Sequence, residues 1–167
     1  MSAKHLQIDA RTCAGLLTGS GKTIACAESC TGGLLTSAFV DIPGSSAFLI
    51  EGAVTYANDA KMRRLGVKRE TLETVGAVSA ECAKQMAEGI RREAGTDLGV
   101  STTGIAGPDG GTAEKPVGLV YLGIADENGT ETLELHLSGD RRAIREQAVC
   151  KAIEAVGTKL LNARTAE

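Results

Sequence analysis

Segments with helical periodicity alternate along this 167-residue chain with short β-branched or apolar runs, and glycine-rich turns mark the transitions. That alternation calls for a layered α/β domain, in which helices cover a sheet, and a late pair of adjacent strands makes the sheet a mixed one. A helix over 6–18 leads into a strand at 23–28, and the turn "SCTGG" opens a helix from Thr31 to Asp41. "AFLIEGAVTYA" reads as a strand and "NDAKMRRLG" as a short polar helix. Ser79 suits the N-cap of "AECAKQMAEGIRREAG", which Gly95 ends. "DLGVSTTGIAG" reads as a buried strand entering a glycine loop, and the following segment as a hairpin around Asn128-Gly129. A long helix over about 140–161 closes the chain. No repeat or linker interrupts the pattern, so residues 1–167 are expected to form one domain.

Composition narrows the function classes. With no Trp, two Tyr and two Phe, the core must be built from Ala, Val, Leu and Ile. A net charge of −3 with basic residues scattered among acids offers no face for nucleic acid, and no interleaved aromatics form a stacking platform. No leader-like start and no apolar run near the ~20 residues of a bilayer span is present, which points to a cytoplasmic protein without a membrane partner. The five cysteines are odd in number and unpaired in spacing, as expected of reduced thiols, and they lie too far from His5 and His136 to suggest a metal site. Neither a metal nor an organic cofactor is expected.

Gly21-Lys22-Thr23 invites comparison with a phosphate-binding P-loop, but that loop needs a glycine where Leu16 stands and runs from strand to helix, whereas the order here is reversed. Gly19 and Gly21 read instead as the end of the first helix. A Ser–His–Asp triad is nearly excluded by the positions of His5 and His136. A hydroxyl activated by a desolvated lysine remains, and Lys61, one short turn beyond a strand, is the candidate base. Ser46, exposed by the turn that Pro43-Gly44 enforces, is the candidate nucleophile, if Lys61 points back toward the loop from which that strand departs. Tyr56 is five positions from Lys61, not the four of a Y-x-x-x-K dehydrogenase, and no G-x-G-x-x-G follows the first strand. In "SCTGG", Ser29, Thr31, Gly32 and Gly33 stand at a helix N-terminus, where free N–H groups favour an anion; the same glycines equally suit a sharp turn. "TTGIAGPDGG", with Thr103, Gly104, Gly107 and Asp109, reads as a ligand-facing loop. Arg141, Arg142 and Arg145 could grip a phosphate or face water.

Taken together, "AESCTGG", "PGSS" followed by "GAVTYAN" and Lys61, "GAVSAECAKQMAEG", "TTGIAGPDGG" with "KPVGLVYLG", and "GDR" resemble the CinA carboxy-terminal domain family over roughly residues 5–162. The chain looks like the stand-alone form of that domain. The resemblance implies a nicotinamide-nucleotide amidase of the PncC type, which deamidates nicotinamide mononucleotide and acts as a homo-oligomer, a dimer or larger. It implies a catalytic set of Ser46, Lys61 and Tyr56, with Ser29 as the second choice of nucleophile. It places Ser29, the Thr31–Gly33 turn, Thr103 with its glycine loop, and Arg141 around the nucleotide, with the phosphate on either side.

Overall fold

In the computed structural model, which describes residues 8–165, the expected elements form a five-stranded sheet with helices on both faces. With one further short helix over 69–74 that the sequence pattern did not mark, they are in chain order α1 (Ala10–Ser20), β1 (Ile24–Glu28), α2 (Leu34–Val40), β2 (Leu49–Val54), α3 (Asn58–Leu65), α4 (Arg69–Thr74), α5 (Ala80–Ala94), β3 (Leu98–Gly104), β4 (Leu119–Asp126), β5 (Gly129–His136) and α6 (Arg141–Thr165). The sheet order is β2-β1-β3-β4-β5, parallel across β2, β1 and β3 and antiparallel from β3 to β5. It is the mixed, helix-covered α/β sheet that the alternation requires.

Local chemistry explains the boundaries. Asp9 caps α1 by accepting from Thr12 N, and Gly21 closes it at φ 66°, a left-handed value that suits glycine. Gly21-Lys22-Thr23 is thus a helix terminus leading into a strand, as its inverted context implies. The first helix begins later than expected, because Asp9 takes the cap; the residues expected to be helical before Ile8 lie outside the described range. The hairpin also differs by one position. Asp126 pairs with Gly129, so Glu127 and Asn128 form the turn and Gly129 opens β5.

β1 shows how the two layers are divided. Ile24 and Cys26 face a core shared with Leu17 of α1, Phe39 of α2 and Ile144, Ala148 and Val156 of α6. Ala25 and Ala27 face the other layer, made by Leu65, Val67 and the α5 residues Cys82, Met86 and Ile90. The few aromatics are used once: Phe39 and Phe48 meet edge-on, with ring centroids 5.8 Å apart. Four of the five cysteines, Cys13, Cys26, Cys30 and Cys82, are buried as free thiols among these apolar side chains. None of the described helices is long and apolar enough to cross a membrane.

Two glycines set how closely α5 approaches the sheet. A Cβ on Gly99 would stand 2.2 Å from Ala87 O, and one on Gly123 would stand 2.4 Å from Ala83 O. The clashing atoms are backbone carbonyls one helical turn apart, so no side-chain rotation relieves them. Replacing either glycine by valine is therefore expected to destabilise the domain by about 2 kcal/mol or more through overpacking. A lower midpoint in urea unfolding, with unchanged helix content in the folded baseline, is the result that checks this.

Candidate active site

A cavity of about 280 Å³ opens where β1 and β3 end and the chain leaves β2. Carboxyl ends of parallel strands are the usual ligand position in open α/β sheets, because the strand-to-helix turns gather there. Ser29, the first residue after β1, enters the cavity beside Cys30. Tyr56 comes from the β2–α3 connection, Asn58 and Lys61 from α3, and Ala77 and Val78 from the turn before α5. Thr103, Gly104, Gly107 and Asp109 line it from the end of β3 and the loop beyond, and Arg141 from the first turn of α6.

Lys61 is 1% exposed, and its amine reaches three oxygens. Nζ donates to Thr55 O at 2.8 Å and Tyr56 O at 3.0 Å, and lies 3.0 Å from Ser29 Oγ. The carbonyls take two of the amine's directions, so the third faces the hydroxyl, with a hydrogen when the amine is charged and with a lone pair when it is neutral. Burial holds the Lys61 pKa below the ordinary lysine value. Cys82 and Cys30 act in the opposite direction, but burial is the larger effect and also pushes both thiols up to about 11.

Ser29, then, is the hydroxyl that meets Lys61, and the expected pairing with Ser46 is not made within the chain. Ser46 sits exposed in the 3-10 turn Ser45–Ala47, before β2 begins. Phe48 O, at that end, accepts from Ile24 N, the first residue of β1. Lys61 lies beyond the opposite end, and six strand residues separate the two ends by roughly 20 Å. The "PGSS" turn and Lys61 flank one strand, and a strand keeps its two ends apart. Tyr56 also differs from expectation: its backbone carbonyl, not its phenol, touches Lys61, while the phenol lies 3.4 Å from Arg141 Nη2.

The "SCTGG" turn does hold an anionic group type at a helix N-terminus, but the group belongs to the protein. Glu28 is fully buried, and its carboxyl accepts from Gly33 N, Leu35 N and Thr36 N at 2.8–3.0 Å and from the Thr31 and Thr36 hydroxyls. Thr31 spends its hydrogen on Glu28, so Thr102 Oγ1, 2.7 Å away, must donate to it. Thr31, Gly32 and Gly33 consequently line no part of the cavity; the glycines supply φ values of 58° and 101°. Their place in the turn is conformational.

Across the cavity, the Thr103 hydroxyl donates to Ala77 O, which ties the turn before α5 to β3. Arg141 Nη1 donates to Gly107 O at 2.7 Å. A Cβ on Gly104 would meet Leu119 O at 2.7 Å, and one on Gly107 would meet Val117 Cγ1 at 2.5 Å, so both glycines are fixed by packing of the loop on β4 and its approach. Asp109 stays exposed at the rim. Asn58, Ala77, Val78 and the buried acceptor Glu28 lie within the quoted motifs, but their place at the cavity does not follow from residue type, since each is positioned by pairing or packing of a distant element.

Glu28→Gln puts an amide nitrogen, which has no lone pair, where at least two N–H or O–H donors now point. The variant is expected to lose more than about 2 kcal/mol, the scale of leaving buried donors unmade. Equilibrium unfolding in urea measures this, and Glu131→Gln on the exposed surface serves as the comparison.

Comparison with known proteins agrees with this architecture throughout its length. Residues 7–160 match the family described as the CinA C-terminal domain. A competence-damage inducible protein of Clostridium novyi is 53% identical over 146 residues, covering 87% of this chain and 35% of that protein. A CinA-like protein of Kosmotoga olearia is 54% identical with the same coverage of both. The chain thus spans about a third of the length of these curated relatives. Among solved structures, the competence/damage inducible protein CihA of Agrobacterium tumefaciens superposes with a TM-score of 0.88 at 43% identity, covering 96% of this chain and 98% of that one. A CinA superfamily protein of Klebsiella pneumoniae gives 0.88 at 35% identity, covering 96% and 99%. A match that runs from the approach to α1 into the last turns of α6, in sequence and in fold, makes this chain a member of the CinA C-terminal domain family.

Proposed function

We propose that the chain is an amidase that deamidates a pyridine nucleotide carboxamide, nicotinamide mononucleotide, to the carboxylate and ammonia. The observation that carries this reading is the seat of Lys61: a buried amine with two N–H directions committed to carbonyls and the third on the Ser29 hydroxyl. Such an amine is a base for a serine nucleophile, in the manner of Ser–Lys hydrolases.

The steps follow from that geometry. Ser29 Oγ forms a bond to the carboxamide carbon as its proton passes to Lys61. The tetrahedral intermediate collapses with cleavage of the C–N bond, and the proton on Lys61 leaves with ammonia. A water then attacks the ester and gives its proton to Lys61, and the C–Oγ bond breaks as Lys61 returns that proton to Oγ, which releases the acid and restores Ser29. A pyridinium ring withdraws electrons from the carbonyl throughout, so the protein chiefly positions it and shields the oxyanion with backbone N–H groups.

Occupation of the α2 N-terminus by Glu28 favours the other side of the cavity for the phosphate. Arg141, in the first turn of α6, is the cation available there, and the Tyr56 phenol beside it adds a donor. Asp109 on the same rim suits the ribose hydroxyls, which donate hydrogen bonds, better than the phosphate, which it would repel.

Ammonia release from nicotinamide mononucleotide tests the reading directly. Ser29→Ala and Lys61→Met are each expected to lower kcat ~10³-fold or more, because either change disables the same unit. Loss in Ser46→Ala instead of Ser29→Ala would overturn the assignment of the nucleophile. Nucleotide binding without ammonia release by the wild type would make the domain a binding module.

The pH profile supplies a further check. Only neutral Lys61 has a lone pair for the Ser29 proton, so kcat/KM is expected to fall as pH drops through the Lys61 pKa, with a slope of about one in log units. Because burial lowers that pKa, the plateau should be reached below pH 10.5, the value of an ordinary lysine. A profile that still climbs through pH 10.5 would contradict a desolvated base.

A further inference from the structure

Of the two arginines of the α6 cluster that the steps above leave unused, Arg142 pairs with Glu146 on the surface, and Arg145 turns toward the site. It lies one helical turn after Arg141, yet it does not line the cavity, and no carboxylate pairs with it among the described residues. Its half-buried guanidinium is spent on backbone instead: Nε donates to Cys30 O at 3.0 Å and Nη2 to Thr31 O at 2.9 Å. These are the two central carbonyls of the turn that Gly32 N closes onto Ser29 O. A Cβ on Gly32 would approach Arg145 Nη2 to 3.1 Å, so the guanidinium lies close against the turn.

A planar trans peptide points its N–H opposite to its C=O. Arg145 holds Cys30 O and Thr31 O, whose peptides carry the Thr31 and Gly32 N–H groups; Gly32 N in turn holds Ser29 O, whose peptide carries the Cys30 N–H, so the grip fixes where that N–H aims. Cys30 belongs to the cavity wall, and its N–H meets no backbone acceptor among the described residues. An N–H from the residue after the nucleophile, on a sharp strand-to-helix turn, is a common donor to a developing oxyanion.

We propose that Arg145 is a positioning residue for the reaction: by gripping the Cys30 and Thr31 carbonyls it holds Ser29 Oγ on Lys61 and presents Cys30 N–H to the reacting carbonyl. The proposal rests on the amidase reading for its rate effect, though not for its effect on Ser29 itself. Arg141 serves recognition and Arg145 serves the nucleophile, from adjacent turns of one helix.

Two readouts test it on folded wild-type, Arg145→Ala, Arg145→Lys and Arg141→Ala proteins. In steady-state ammonia release, Arg145→Ala is expected to lower kcat ~10²-fold, the usual scale for a misplaced reacting group. Its KM should stay within about two-fold, whereas Arg141→Ala should raise KM. Arg145→Lys, which keeps the charge but lacks the rigid fork that spans both carbonyls, should fall between, and added methylguanidinium should restore part of the Arg145→Ala rate. The second readout needs no substrate: a fluorophosphonate labels Ser29 as Oγ bonds to phosphorus, fluoride leaves and Lys61 takes the proton. Its labelling rate should fall by a similar factor in Arg145→Ala. An unchanged labelling rate, or a KM effect like that of Arg141→Ala, overturns the proposal. Failure of the wild type to release ammonia, with Ser29 labelling still dependent on Arg145, overturns the substrate reading alone.

Discussion

The carboxyl of Glu28 is the interaction on which the site depends. It is buried at the end of β1 and takes up three N–H groups at the start of α2 together with two threonine hydroxyls. A seven-residue helix has too few internal hydrogen bonds to fix its own start, so an acceptor beneath it decides where the helix begins. Everything the turn carries follows from that anchor. Ser29 leaves the sheet at a set angle, Gly32 and Gly33 adopt left-handed conformations, and the N–H groups that would otherwise attract a phosphate are already satisfied.

In the proposed reaction, chemistry and recognition consequently occupy different walls of one cavity. The Ser29–Lys61 contact sits where two parallel strands end side by side, since β1 pairs with β2 in register to Glu28 and Val54. Arg141 and the loop of Gly107 form the facing wall, and α6 connects the two through Arg141 and Arg145. A long helix that packs against α1, α2 and the sheet is rigid enough to keep those walls at a fixed separation.

Much of this architecture is legible in residue order. The periodicities locate the strands and most helices, Ser79 and Gly95 mark both ends of α5, and Gly21 explains why Gly-Lys-Thr is no P-loop. The cavity loops are legible too, since Ser29, Tyr56, Lys61, Thr103 and Arg141 do converge. Roles are less legible than membership. Thr31, Gly32 and Gly33 have the composition of an anion site, and the acidic residue just before them in the chain turns out to be the anion's substitute. Gly104 and Gly107 look like ligand contacts and are also demanded by packing on β4 and Val117. Glycine is required for both purposes, and composition does not distinguish them.

By itself, the sequence determined the mixed α/β class, the order of elements, and Lys61 as the base candidate, because each depends on local periodicity, capping or residue chemistry. Tertiary structure alone decided which hydroxyl Lys61 meets. Ser46 is nearer in the chain, fifteen positions against thirty-two, but an extended strand separates its ends while parallel pairing brings the ends of β1 and β2 together. Whether Lys61 is buried, and whether a glycine turn is open to a ligand or filled by its own glutamate, are likewise properties of what packs against them. Those neighbours come from distant parts of the chain, which is why no local pattern announces them.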